Sequence, residues 1–261
     1  MTPVPIIAFG PTPDSYFIGV GMRYYSVGMP DSLAPTANKL PAIQMGWMSI
    51  DPQGAWMVQD AYHTSRLEYD TRILPNIIEQ WRNRSLKFVS FGDLSDGHIQ
   101  TWVGVGPDNS GNWTGILSDQ QLSHLNEIKG QIGEVFDRAL RGILLGKGST
   151  MVFMFAGGFS YYTDDEAEGR ILEKVMDEYV HRQPAWTIER GSVLCPWNID
   201  YFFLKFKDTQ SSRIIMRWNL PQNMDAHLKE LQEAAETPEG AAAIARHEQL
   251  GMWRAKRMHI T

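Results

Sequence analysis

The amino-acid sequence predicts a mainly β, α+β fold: five tandem strand–strand–strand–helix (βββα) repeats closed into a ring, followed by a helical tail. Three observations predict it. A short apolar strand ending in a turn recurs five times. Each time it is followed by an aromatic and β-branched strand, a short aromatic strand, and a helix opening on proline or an acidic residue. The equivalent positions Phe9, Ile50, Phe91, Leu145 and Cys195 lie 41, 41, 54 and 50 residues apart. Beyond residue 236 the pattern stops.

The expected boundaries are 5–40, 41–86, 87–140, 141–186 and 187–235 within a ring of 1–235, then a tail of 236–261. In the first copy Ile6–Gly10, Tyr16–Ile18 and Tyr24–Tyr25 read as strands, and Pro35 weakens the helix after Pro30. The second runs through Trp47–Asp51, Ala55–Val58 and Leu67–Tyr69 to a helix at Pro75, where the missing N–H costs nothing. Its turn, Asp51-Pro52-Gln53-Gly54, is a hairpin signal. The third reads Phe88–Gly92, Ile99–Val103 and Asn112–Thr114, with Ser118 as a helix cap and a second helical stretch over Ile132–Leu140. The fourth reads Ile143–Gly146, Met151–Phe155 and Tyr161–Tyr162, with Thr163 as the cap. The fifth reads Val193–Pro196, Tyr201–Leu204 and Ile214–Trp218, with a helix from Pro221. Glu239–Arg257 predict the tail helix.

Three strands cannot bury two apolar faces without neighbours. The first and fifth copies are as apolar as the others, so neither reads as a polar cap. A closed five-bladed propeller-like ring, with helices outside, is the architecture this implies. The unit order is a circular shift of strand–strand–helix–strand. In that order alone it resembles the five-fold α/β propellers that include the guanidino-modifying enzymes. Those enzymes carry a cysteine nucleophile near the chain's end, with a histidine and acidic residues. Here Cys195 stands in Leu194-Cys195-Pro196-Trp197, without a Gly-rich His-Cys context, so the nucleophile does not carry over.

Net charge is −6, which argues against sequence-independent nucleic-acid binding. Arg246, Arg254, Lys256 and Arg257 read as a solvated helix face. One cysteine, no basic leader at the N-terminus and no long apolar run predict an intracellular, cytoplasmic protein away from membranes. No cofactor and no metal are expected. The acidic run Asp164–Glu168 lacks the spacing of a calcium loop. Cys195 aligns with buried apolar positions and reads as a packed thiol. His124, His181 and His227 fall in helices and are expected to face solvent.

The aromatic surplus carries the functional expectation. Trp47, Trp102, Trp113, Trp197 and Trp218 fall in or beside strands. With Arg23, Tyr25 and Gln100 they are the expected ligand-binding residues, Trp faces stacking on a sugar or an apolar ligand. Inter-repeat packing is the competing reading of the tryptophans, and the preferred one. The expected function is recognition of a small molecule, glycan or protein through an aromatic-lined face or an axial pocket. The alternative is a cofactor-independent isomerase, cyclase or hydrolase at the same axis. In it His98 and Asp200 would act as catalytic groups.

Overall fold

The computed structural model describes residues 3–63, 66–95, 99–163 and 170–258, and only the backbone of 94, 95, 99 and 250–258. Unit one comprises β1 (Ile6–Phe9), β2 (Tyr16–Val20), β3 (Arg23–Val27), α1 (Leu33–Lys39) and a 3-10 turn at Ala42–Gln44. Unit two comprises β4 (Met45–Ile50), β5 (Trp56–Asp60), β6 (Leu67–Tyr69) and α2 (Pro75–Arg84). Unit three has β7 (Phe88–Ser95), β8 (Ile99–Val105), β9 (Trp113–Ile116), α3 (Asp119–Ile132), a 3-10 turn at Gly133–Val135 and α4 (Phe136–Ala139). Unit four has β10 (Leu140–Leu145), β11 (Met151–Phe155), β12 (Gly158–Tyr162) and α5 (Ile171–Val180). Unit five has β13 (Trp186–Ile188), β14 (Val193–Leu194), β15 (Phe202–Asp208), β16 (Ile214–Asn219) and α6 (Gln222–Glu236), and α7 (Pro238–Met258) follows.

The first four units are three-stranded antiparallel meanders. In the fifth, β13 and β14 share one edge of β15, and β16 takes the other. The expected propeller ring is corrected here: the strands form five separate, small, open antiparallel sheets, and none is closed or curled. First strands of successive units touch in chain order, and β14 also touches β1. Among the described residues, no β ladder joins one sheet to the next. The physical reason is that side chains, with the helices, fill the space between sheets. Trp47 of β4 packs on Trp81 of α2 and on Phe88 of β7. Phe203 of β15 joins β1, β2 and α6 in another cluster. The repeat states which faces are apolar and leaves open what covers them.

Local signals explain the elements. Asp51 Oδ1 accepts from the Gln53 and Ala55 amides at 2.9 and 2.8 Å, and Gly54 takes φ +83°, so the β4–β5 turn forms as its sequence demands. Pro35 sits in the first turn of α1, where no partner for its missing N–H is needed. Ser118 and Gln121 form a reciprocal capping box on α3. Thr163 does not cap α5, which begins at Ile171, and the Thr163 hydroxyl bonds Glu173. The run 164–169 lies outside the described residues.

A polar knot around the buried Asp70 ties units one and two. Asp70 receives the Arg72 guanidinium and the Ser32 hydroxyl, and Ser32 Oγ accepts from Trp56 Nε1 at 3.1 Å. The Arg72 guanidinium is the main cause that pulls the Asp70 pKa down to about 2. A lowered carboxylate pKa stabilises the fold above the unfolded value near 4, and that contribution is lost as pH falls towards 2. Arg72 is half-exposed and screened, so Asp70→Asn is expected to cost about 1–2 kcal/mol at neutral pH. Urea unfolding of both proteins from pH 7 to pH 2 should show the gap closing below pH 4.

Among the described residues, no helix is long and apolar enough to cross a membrane.

Candidate functional site

The expected ligand-binding residues are spread through the molecule. Trp47 is buried and donates to the Lys87 carbonyl at 2.8 Å. Trp102 is buried with its Nε1 unpartnered. Trp113 and Trp218 are half-buried and donate to Asp137 and Asp225. Trp197 donates to the Gly10 carbonyl and packs edge-on against Phe9. Tyr25 stacks on His227 and donates to Glu230, and Arg23 is exposed. The Gln100 amide approaches Asp51 without completing a hydrogen bond. Asp200 accepts from the Ile171 amide at 3.0 Å and so caps α5. His98 lies outside the described residues. Of the three helical histidines, only His181 is exposed; His124 and His227 are half-buried against tyrosines. Cys195 is buried, and burial pushes its thiol up to about 12, too high to supply thiolate at neutral pH. Among the described residues, no group of three or more His, Cys, Asp or Glu is placed to hold a metal ion.

Where the first strands meet, the space is small. Residues such as Ser49, Ser90, Phe91 and Leu194 enclose about 30 Å³. That suffices for about one water molecule, against the ~300 Å³ or more of ordinary ligand sites.

A cavity of about 830 Å³ lies elsewhere, between units one, two and five and helix α7. Val4 and Ile6 lead in from the N-terminus, Ile43 and Met45 come from the junction of the 3-10 turn and β4, and Ile244 comes from α7. Ala42, Gly46, Ala235, Ala241 and Ala245 also line it, and their small side chains leave the space open. Helix α7 is held over this region by packing on α6, by Ile244 among the core residues around α6, and by His247 Nε2 at 3.0 Å from Gln44 Oε1.

Lys205, on the central strand β15, borders this cavity. It alternates with Leu204 and Phe206 and shares the face of Phe203, towards β1. It is 6 % exposed. Among the described residues, no hydrogen bond or ion pair reaches Nζ, and Glu189 acts on it only at longer range. Burial lowers its pKa to about 8. Room for the ammonium comes from Gly191, at φ +84°, where a Cβ would stand 2.3 Å from Nζ. Ser192 fixes the same bulge, its hydroxyl accepting from the Lys205 amide and donating to the Glu189 carbonyl. At the solvent side the cavity carries two exposed carboxylates, Glu236 and Glu248, and the half-buried Tyr62.

Sequence reasoning missed Lys205, although a signal was present: a lysine between Leu204 and Phe206 in an apolar central strand. The chain matches no family model, no curated protein and no solved structure.

Proposed function

We propose that the protein binds a small, largely apolar organic ligand bearing one acidic group, held by Lys205. The observation that carries this reading is a buried ammonium with no counter-charge in contact among the described residues, bordering a cavity of ligand size. A buried charge is costly unless paired, and a ligand carboxylate supplies the missing partner. The apolar side chains of the lining suit the ligand's body, and the exposed Glu248 disfavours a second acidic group beside it. This keeps the expected small-molecule recognition and moves it away from the tryptophans. The proposed setting is a reducing cytoplasm, on the strength of the single cysteine.

The test is titration with the anionic fluorophore 1-anilinonaphthalene-8-sulfonate and its neutral relative N-phenyl-1-naphthylamine. Lys205→Met is expected to weaken the anionic probe at least tenfold and the neutral one less than twofold. Hexanoate should displace the anionic probe at lower concentration than hexanedioate. Equal affinity of both proteins for the anionic probe would overturn the proposal.

A further inference from the structure

We infer that Lys205 is also a nucleophile, forming a reversible imine with a small apolar aldehyde that enters the same cavity. This rests on the cavity being an organic-ligand site, and it adds a covalent step to that reading. Three features favour it. The side chain projects from a rigid central strand, so the amine is held in place rather than sampling solvent. Among the described residues, no carboxylate lies within ion-pairing distance to hold the extra proton on Nζ. Apolar side chains in the lining, such as Ile6, Ile43 and Met45, suit the hydrocarbon body of the aldehyde.

Burial, by disfavouring the ammonium, raises the fraction of free amine. With a pKa of about 8, about one Lys205 in ten is neutral at pH 7, against roughly one in a few thousand for an exposed lysine. Tyr62 lines the cavity and keeps its proton, since burial first, then the charges of Glu248 and Asp60, hold its phenol above the ordinary range.

The step balances without an oxidant or reductant. The Nζ lone pair adds to the carbonyl carbon, and the carbonyl π pair moves to oxygen, which takes up the proton that nitrogen loses. The hydroxyl of this carbinolamine then leaves as water with a second proton from nitrogen as the C=N bond forms. Amine and aldehyde give imine and water.

The experiment is reductive trapping of the unmodified protein with hexanal and cyanoborohydride at pH 7. Peptide mass mapping then follows, with the anionic-probe titration run on the same preparation. At low conversion, Lys205 is expected to carry the hexyl group at least tenfold more often than any other lysine. Excess hexanoate should suppress that labelling at least tenfold. The rate at Lys205 should level off above about pH 8, while exposed lysines continue to gain towards pH 10. Labelling confined to other lysines overturns the imine. If the probe still depends on Lys205 in that case, the binding proposal stands. Selective hexylation with no dependence of the probe on Lys205 overturns acid binding and keeps the imine.

Discussion

Lys205→Met is expected to make the protein about 3 kcal/mol more stable at pH 7, while removing the proposed affinity for acidic ligands. The pKa of about 8, against an ordinary 10.5, means that folding opposes the charged form by about 3 kcal/mol. The sign follows from proton uptake. Between pH 8 and 10.5 the unfolded chain binds more protons at Lys205 than the folded one, so wild-type stability rises with pH across that window. Methionine, an unbranched apolar side chain, carries no such penalty. Its advantage should therefore be full below pH 8 and gone by about pH 10.5. Urea unfolding of both proteins at pH 7, 8, 9 and 10.5 measures it. A variant less stable than wild type at pH 7 would mean that the ammonium already has a partner, and both ligand proposals would lose their ground. A residue that lowers stability while bordering a cavity of ligand size fits the general trade of stability for function.

The strand–strand–strand–helix unit was legible because period-two apolarity, turn residues and caps are local. Asp51–Gly54, Pro75 and Ser118 each act within a few residues of their own position. What fills the space between units was not legible. It depends on pairs such as Trp47 with Phe88 or Phe9 with Trp197, which no short window contains. That is why a plausible closed ring became five open sheets. The first strand of unit five was half-read because Glu189–Ser192, with Gly191 at positive φ, splits it into β13 and β14. Lys205 escaped because its charge reads as the end of the strand at Leu204, four residues short of Asp208, where β15 ends. The tryptophans stood out by size. Their indole N–H partners, a carbonyl for Trp47 and carboxylates for Trp113 and Trp218, depend on tertiary contacts.

Trp47→Ala is expected to cost about 3–5 kcal/mol, the range for emptying a large aromatic site in a packed core. Trp47 is 1 % exposed. Its ring lies 5.9 Å from Trp81 and 5.4 Å from Phe88, and its Nε1 holds the Lys87 carbonyl. Removing it leaves a cavity between unit two and unit three and strips that carbonyl of its donor. A double-mutant cycle with Phe88→Leu should give a coupling of about 1 kcal/mol, since the two rings meet edge to face. The anionic probe distinguishes the two roles considered for this residue. As inter-unit packing, Trp47 can be lost while probe affinity at Lys205 holds within about twofold, provided the variant remains folded. As a ligand platform, its loss would cost affinity more than stability. Packing between units also predicts one cooperative unfolding transition at a lower midpoint. A second, earlier transition would mean that the units stand more independently than the shared core around Trp47 implies.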